Sequence, residues 1–175
     1  MVMQMNVLEK IKSFQNDAPV NIEGLIRSFG VSLDKKAVLH PEIAGQIERV
    51  DGDRFHVAVN VNDHYYRQRF TMAHELGHYL MHRDLLGEGT DDNRAYRSID
   101  AGKFHNTSIL PQHETEANRF AANLLMPAHL VKRYFYELNG ELERLSKIFQ
   151  VSSEAMRHRL ASLDLKPRAF AERVG

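Results

Sequence analysis

The stretch HELGH at residues 74–78 combines two histidines with a glutamate, residue types that can bind and use a divalent metal ion. His74 and His78 are four residues apart, which on a helix places both imidazoles on one face, about 6 Å apart at Cβ. Two imidazoles in this arrangement can bind one zinc ion at about 2.0–2.1 Å each. Glu75 is rotated by about 100° from His74, so it is suited to act as general base on a metal-activated water rather than as a ligand. The spacing predicts a metal-dependent hydrolytic site.

A catalytic zinc site needs a third protein ligand and an open position. The chain contains no cysteine, so this ligand must be His, Asp or Glu. The metzincin extension would require Gly at position 81 and His at position 84, where this chain has Met81 and Asp84. The helical pattern QHETEANRFAANLLM, residues 112–126, instead offers Glu114 and Glu116.

The two glutamates lie on nearly opposite faces of that predicted helix because they are two residues apart. Glu114 precedes the apolar position Ala117 by three residues and Asn118 by four, whereas Glu116 lies nearer the outward-facing Arg119. We therefore predict that Glu114 is the third metal ligand. Asn118 is then placed to orient a ligand by a hydrogen bond.

Two further histidines near the motif are predicted to lie outside the metal site. His82 is two turns beyond His74, about 12 Å along the helix axis, too far to share one metal with it. We interpret His82 as a packing or hydrogen-bonding residue. His113 points elsewhere on its helix and is expected at the solvated surface.

The remaining pattern predicts the elements that position these residues. The hairpin signal GQIERVDGDRFHVAVNVN, residues 45–62, has Asp51-Gly52 as its turn and an alternating apolar second strand. Shorter strand candidates are KKAVLH (35–40) and AYRSI (95–99), and the metal-binding motif reads as a helix over about 68–82. The sequence predicts an α+β fold in which a small antiparallel sheet packs on the active-site helix. It also predicts a domain over 1–130 and a C-terminal helical segment over 131–175.

The composition gives little sign of nucleic-acid or membrane attachment. Lys and Arg number 23 and Asp and Glu also number 23, so the chain has no net charge to attract polyanions. No run of about 18 apolar residues is present, so no membrane span is expected, and the N-terminus lacks a signal-peptide pattern. The expected location is the cytoplasm.

Two stretches, RQRFTMAHELGHYLMHRD (67–84) and ETEANRFAANLLMP (114–127), resemble the ImmA/IrrE family of gluzincin-type zinc metallopeptidases. The resemblance covers roughly residues 20–165. It implies a zincin-like fold with one catalytic Zn²⁺ held by His74, His78 and Glu114, and Glu75 as the catalytic acid/base. LSKIFQVSSEAMRHRLASLDL (145–165) resembles the helix-turn-helix-like segment of that family. The implied function is that of a bacterial or phage endopeptidase that cleaves or inactivates a regulatory protein such as a helix-turn-helix repressor.

Other interpretations remain open at this stage. The protein could be a non-catalytic, zinc-containing binding module that sequesters a repressor, as an antirepressor or a toxin–antitoxin component does. Direct DNA binding by the terminal helices is not expected, because their basic residues are offset by acidic ones. AYRSI is a candidate edge strand for substrate, and residues 83–112 a candidate mobile loop near the site. Candidate oxyanion-stabilising residues are Tyr65, Tyr66, Tyr96 and His105.

Overall fold

A computed structural model describes residues 2–86, 96–99 and 109–168, with side chains described for 7–86 and 109–168. The helices are α1 (Val2–Phe14), α2 (Ile22–Ser28), α3 (Tyr65–Met81), α4 (Pro111–Leu125), α5 (Ala128–Glu137), α6 (Leu142–Phe149) and α7 (Ser153–Ser162). The strands are β1 (Ser32–Ala37), β2 (Ile43–Asp51), β3 (Arg54–Asn60) and β4 (Tyr96–Ile99). The chain divides into two compact units, Asn21–Ala121 on one side and Met1–Val20 with Ala122–Gly175 on the other.

The four strands form one sheet in the order β1-β3-β2-β4. β2 and β3 make the predicted antiparallel hairpin, with Ile47 opposite Val57, and Gly52 turns the chain at a φ of +53° that favours glycine. β4 lies within the candidate strand AYRSI, pairs antiparallel with β2, and is an edge strand among the described residues. The predicted α+β class and the helix-packed sheet are confirmed.

The prediction of a small antiparallel sheet is correct for the pairings of β2 with β3 and β4 but wrong for β1, which pairs parallel with β3, so the sheet is mixed. The chain leaves β1, passes the end of β3 through residues 38–42, and enters β2 on the other side. Two strand spacings are about 9.5 Å, which five residues span easily. The buried Asn60 amide holds this crossing by donating hydrogen bonds to the carbonyls of Leu39, His40 and Ile43 at 3.4, 3.2 and 2.9 Å.

Helix α3 packs against β2 and β3, while α2 packs against α3 and β1. Every residue of α3 from Thr71 to Tyr79 is buried, the pattern of a helix covered on all sides. Gly45 of β2 allows the sheet to approach closely, since a Cβ there would collide with the Thr71 methyl group. Polar residues in this stretch of α3 therefore lie in the interior. Each of them lowers the stability of the fold unless it is hydrogen-bonded, and an unbonded one needs a functional reason to be there.

Helix α4 approaches α3 at Gly77. A Cβ at Gly77 would lie 3.0 Å from Cδ1 of Phe120 and 3.3 Å from Cα of Ala117. The glycine between the two histidines thus allows the two helices to come close. This contact brings the first turn of α4 to the histidine-bearing face of α3.

The second unit contains α5, α6 and α7. The pair α6–α7 packs through buried apolar side chains, among them Leu145, Phe149, Met156 and Leu160. Ser152 caps α7, accepting a hydrogen bond from the Ala155 N–H at 3.0 Å. The helical, helix-turn-helix-like C-terminal segment is therefore present, while the predicted domain boundary at 130/131 stays a prediction. Among the described residues, no helix has the length and apolar character needed to cross a bilayer.

The close approach at Gly77 makes a testable prediction. Replacing a mid-helix glycine by alanine ordinarily stabilises a helix by about 0.5–1 kcal/mol. Here Gly77→Ala should lower the free energy of unfolding by about 1–3 kcal/mol, because the added methyl group overpacks the α3–α4 contact. Thermal unfolding measures the change, with Met81→Ala at the exposed end of α3 as the control. A Gly77→Ala protein that melts at or above the wild-type temperature would contradict this packing.

Candidate metal centre

The two histidines of the motif lie on the buried face of α3. His74 is 3% exposed and His78 is fully buried. Their Nε2 atoms are 3.0 Å apart, and their rings meet edge to face with centroids 4.7 Å apart. The helical spacing therefore directs both imidazoles at one point, as the sequence predicts.

Glu114 reaches the same point from the first turn of α4. One carboxylate oxygen lies 3.3 Å from Nε2 of His74, and the other lies 3.3 Å from Nε2 of His78. Each of the three residues offers one atom that could bind a metal, and these three atoms all lie within 4.8 Å of one another. The structure thus brings together the three residues that the sequence analysis selected.

The geometry fits a zinc ion. Ligand atoms about 2.05 Å from a tetrahedral metal are about 3.3 Å from one another. The two Nε2 atoms are 3.0 Å apart, and each lies 3.3 Å from a different oxygen of Glu114. One ligand atom from each residue lies within 4.8 Å of the other two, so adjustments of the side chains would bring all three residues to bonding distance from one ion. Two nitrogens and one carboxylate are also a common ligand set for a zinc site with an open position.

Hydrogen bonds on the far side of each ring help to direct the Nε2 atoms. Nδ1 of His74 lies 2.8 Å from Oδ1 of Asn118, so a proton on Nδ1 leaves the lone pair of that ring on Nε2. Nδ1 of His78 lies 2.9 Å from Nδ1 of His82. Asn118 thus makes the contact predicted for a residue that orients a ligand.

Burial keeps His78 in the form that binds metals. Desolvation is the main cause that lowers the pKa of His78 to about 4, opposed by the hydrogen bond to Glu114. The ring is therefore neutral at physiological pH, and a neutral imidazole has the lone pair that a metal requires.

Glu75 is a charged residue type in a fully buried position. Its side chain is 0% exposed, and neither carboxylate oxygen has a hydrogen-bond partner among the described residues. Burial raises the pKa of Glu75 well above its ordinary value, and the nearby charge of Glu114 raises it further. A strongly perturbed carboxyl group close to side chains that could hold a metal is a candidate for proton transfer.

The structure places the other predicted candidates as follows. The Tyr65 hydroxyl donates to Glu23 at 3.3 Å, and the Tyr66 ring packs edge to face on His64. For Tyr96 only the backbone is described, and His105 lies outside the described residues, as does most of the candidate loop 83–112. None of these observations assigns an oxyanion-stabilising residue.

Two residues near the site make contacts that the sequence analysis did not predict. His82 is buried and hydrogen-bonded, as predicted, but its partner is His78 itself. Glu116, interpreted as outward-facing, is 53% exposed and yet accepts from Nε2 of His82 at 2.8 Å. The i, i+4 spacing of His78 and His82 was a visible signal for this contact, whereas nothing in the sequence pairs His82 with Glu116.

A mixed sheet packed on a helix that presents two histidines, with a glutamate from a second helix, defines a zincin-like protein. The family model Peptidase_M78, described as the IrrE N-terminal-like domain, matches residues 39–161. The chain therefore belongs to this peptidase family, as the sequence resemblance predicts, and the membership points to a metallopeptidase-like role.

Comparison with solved structures finds the same fold elsewhere. A Mycobacterium tuberculosis transcriptional regulator superposes with a TM-score of 0.60 at 21% sequence identity. The match covers 93% of this chain and 48% of the regulator, so the chain spans about half the length of that protein. No match was found among curated protein sequences.

The buried state of Glu75 predicts a specific pH dependence in the metal-free protein. Because the folded-state pKa is raised, the folded protein holds this proton more tightly than the unfolded chain. Stability is therefore lost as pH rises from the unfolded pKa towards the folded one. Glu75→Gln removes this loss, so the variant should gain stability over wild type with increasing pH, by up to about 1.4 kcal/mol per pH unit.

Thermal unfolding in excess chelator between pH 5 and 8 measures this difference. Glu154→Gln makes the same change at a side chain that is 81% exposed, and its difference from wild type should stay flat. A difference between Glu75→Gln and wild type that does not change with pH would show that Glu75 is not held in a desolvated state.

Proposed function

We propose that this protein is a zinc-dependent endopeptidase that cleaves a regulatory protein, with a helix-turn-helix repressor as the favoured substrate. The observation that carries the proposal is the convergence of His74, His78 and Glu114 beside a buried carboxyl group that has no hydrogen-bond partner among the described residues. Membership in a peptidase family supports the reaction class.

In this proposal His74, His78 and Glu114 hold one zinc ion. When bound, the zinc polarises the scissile carbonyl and makes water acidic enough to act as a nucleophile near neutral pH. Glu75 accepts the proton from the attacking water and then delivers it to the nitrogen of the leaving amine. A raised pKa suits both halves of this task, because the carboxyl group must bind a proton and release it in one turnover.

The proposed substrate class is supported by the family and by the fold. The family resemblance implies action on helix-turn-helix repressors, and the structural neighbour with this fold is described as a transcriptional regulator. An extended substrate segment could add to the sheet beside β4, which is an edge strand among the described residues. The protein is proposed to work in the cytoplasm, where such substrates occur.

A non-catalytic binding module is the alternative. Among the described residues the ligand set has three members, which argues against a purely structural zinc, since structural sites are almost always closed by four protein ligands. The carboxyl group of Glu75, which has no hydrogen-bond partner in the described part of the chain, serves no structural purpose in such a module, because an unbonded buried polar group is a cost to stability.

The metal and the reaction can be tested together with purified full-length protein. Wild type and Glu75→Gln should each bind one zinc ion per chain by elemental analysis, whereas His78→Ala should bind none under the same conditions. On a co-expressed helix-turn-helix repressor, Glu75→Gln should cleave at least about 100-fold more slowly than wild type, the usual contribution of a general base.

The matched control is Glu154→Gln, which should cleave at the wild-type rate. Wild-type protein that binds no divalent metal would refute the zinc site. Equal cleavage by wild type and Glu75→Gln would refute the role of Glu75. Biological inactivation of the repressor by Glu75→Gln without cleavage would favour the binding module.

A further inference from the structure

A hydrogen-bonded chain runs from His78 to the protein surface. Nδ1 of His78 meets Nδ1 of His82 at 2.9 Å, and Nε2 of His82 meets a carboxylate oxygen of Glu116 at 2.8 Å. His82 is only 5% exposed, whereas the Glu116 side chain is 53% exposed. The chain therefore connects a buried ring beside the proposed metal site to a charged group at its edge.

With Glu116 ionised and the His82 ring neutral, the chemistry of the groups gives the direction of the hydrogen bonds. An ionised carboxylate can only accept, so Nε2 of His82 is the donor to Glu116. In a neutral His82 ring with its proton on Nε2, the lone pair is on Nδ1, which accepts from Nδ1 of His78. The lone pair of His78 is then on Nε2, the atom that faces His74 and Glu114.

We infer that His82 and Glu116 form a positioning pair that sets the tautomer and ring orientation of His78 for metal binding. The inference rests on the proposed function, since it assigns the pair a role towards the same zinc ion. Neither residue belongs to the group of three that could hold the metal. Their role corresponds to that of Asn118 towards His74, with an interposed imidazole and a full negative charge in place of a neutral amide.

The pair also explains why a buried histidine follows the motif. If His82 had only a structural role, its two ring nitrogens would be expected to form hydrogen bonds with the backbone or with solvent. Instead, both nitrogens take part in a chain that ends on a carboxylate, the arrangement by which a partner strengthens and orients a metal-binding histidine. His113 packs against the His82 ring at 4.7 Å between centroids but contributes no hydrogen bond to this chain, since its Nδ1 accepts from the backbone N–H of Leu110.

Zinc affinity measured by competition with a chromophoric chelator tests the inference. His82→Ala and Glu116→Ala should each weaken zinc binding by about 10–100-fold, the usual effect of removing such a partner. His82→Asn should recover part of the loss, because its amide oxygen can take the place of Nδ1 and accept from His78. The electronic spectrum of the Co²⁺-substituted protein should change in His82→Ala, since the His78 ring is no longer held in one orientation.

Matched controls separate this role from general stability. His158→Ala and Glu154→Gln alter exposed side chains of the same types and should leave affinity and spectrum at the wild-type values. Melting temperatures in excess chelator report stability without metal. Glu116→Ala changes a half-exposed side chain, so it tests the pair even if His82→Ala does not fold.

The outcomes distinguish the two levels of the proposal. Wild type that binds one zinc ion while both alanine variants bind it as tightly would overturn the positioning role and leave the peptidase proposal intact. Wild type that binds no metal would overturn both. Weaker zinc binding in both variants, with unchanged metal-free melting of Glu116→Ala and partial recovery in His82→Asn, supports the inference.

Discussion

Two buried imidazole nitrogens and a partly exposed carboxylate lie about 3 Å apart in this protein, and the packing of α3 against the sheet and α4 holds them there. Such groups all present electron pairs, so their proximity is unfavourable unless a cation or shared protons lie between them. Helices fixed by an extensive apolar core can sustain this arrangement. The sheet covers one side of α3, and α2 and α4 cover others, so the two histidines have little room to turn away.

The same burial determines how the neighbouring groups behave. Desolvation lowers the pKa of His78 and raises the pKa of Glu75. The two shifts have opposite directions because one group is a base and the other an acid, and both favour the uncharged form. A neutral imidazole can bind a metal, and a carboxyl group with a raised pKa keeps its proton at a higher pH than an ordinary glutamate. A single physical cause, exclusion of water around α3, thus suits both residues to the roles proposed for them.

The local features of the site were predictable from sequence because they depend on helical periodicity alone. Residue spacing on a helix places His74 and His78 on one face and offsets Glu75 from them. The apolar stripe of α4 favours Glu114 over Glu116. The parallel pairing of β1 was not predictable in this way, since strand alternation is the same beside a parallel or an antiparallel neighbour. The contact between His82 and Glu116 was missed for a related reason: it joins two helices whose relative register no local pattern specifies.

Helix α4 supplies Glu114 to the proposed metal site, and it also supplies Asn118 and Glu116, the hydrogen-bond partners of His74 and of His82. All three contacts therefore depend on how α4 is positioned against α3, which is set where the two helices meet at Gly77. A shift of this helix by even a fraction of a turn would withdraw a ligand and both orienting groups together. The affinity of the proposed site for its metal should therefore depend steeply on the packing of α3 against α4. States in which only part of the ligand set is assembled should be little populated.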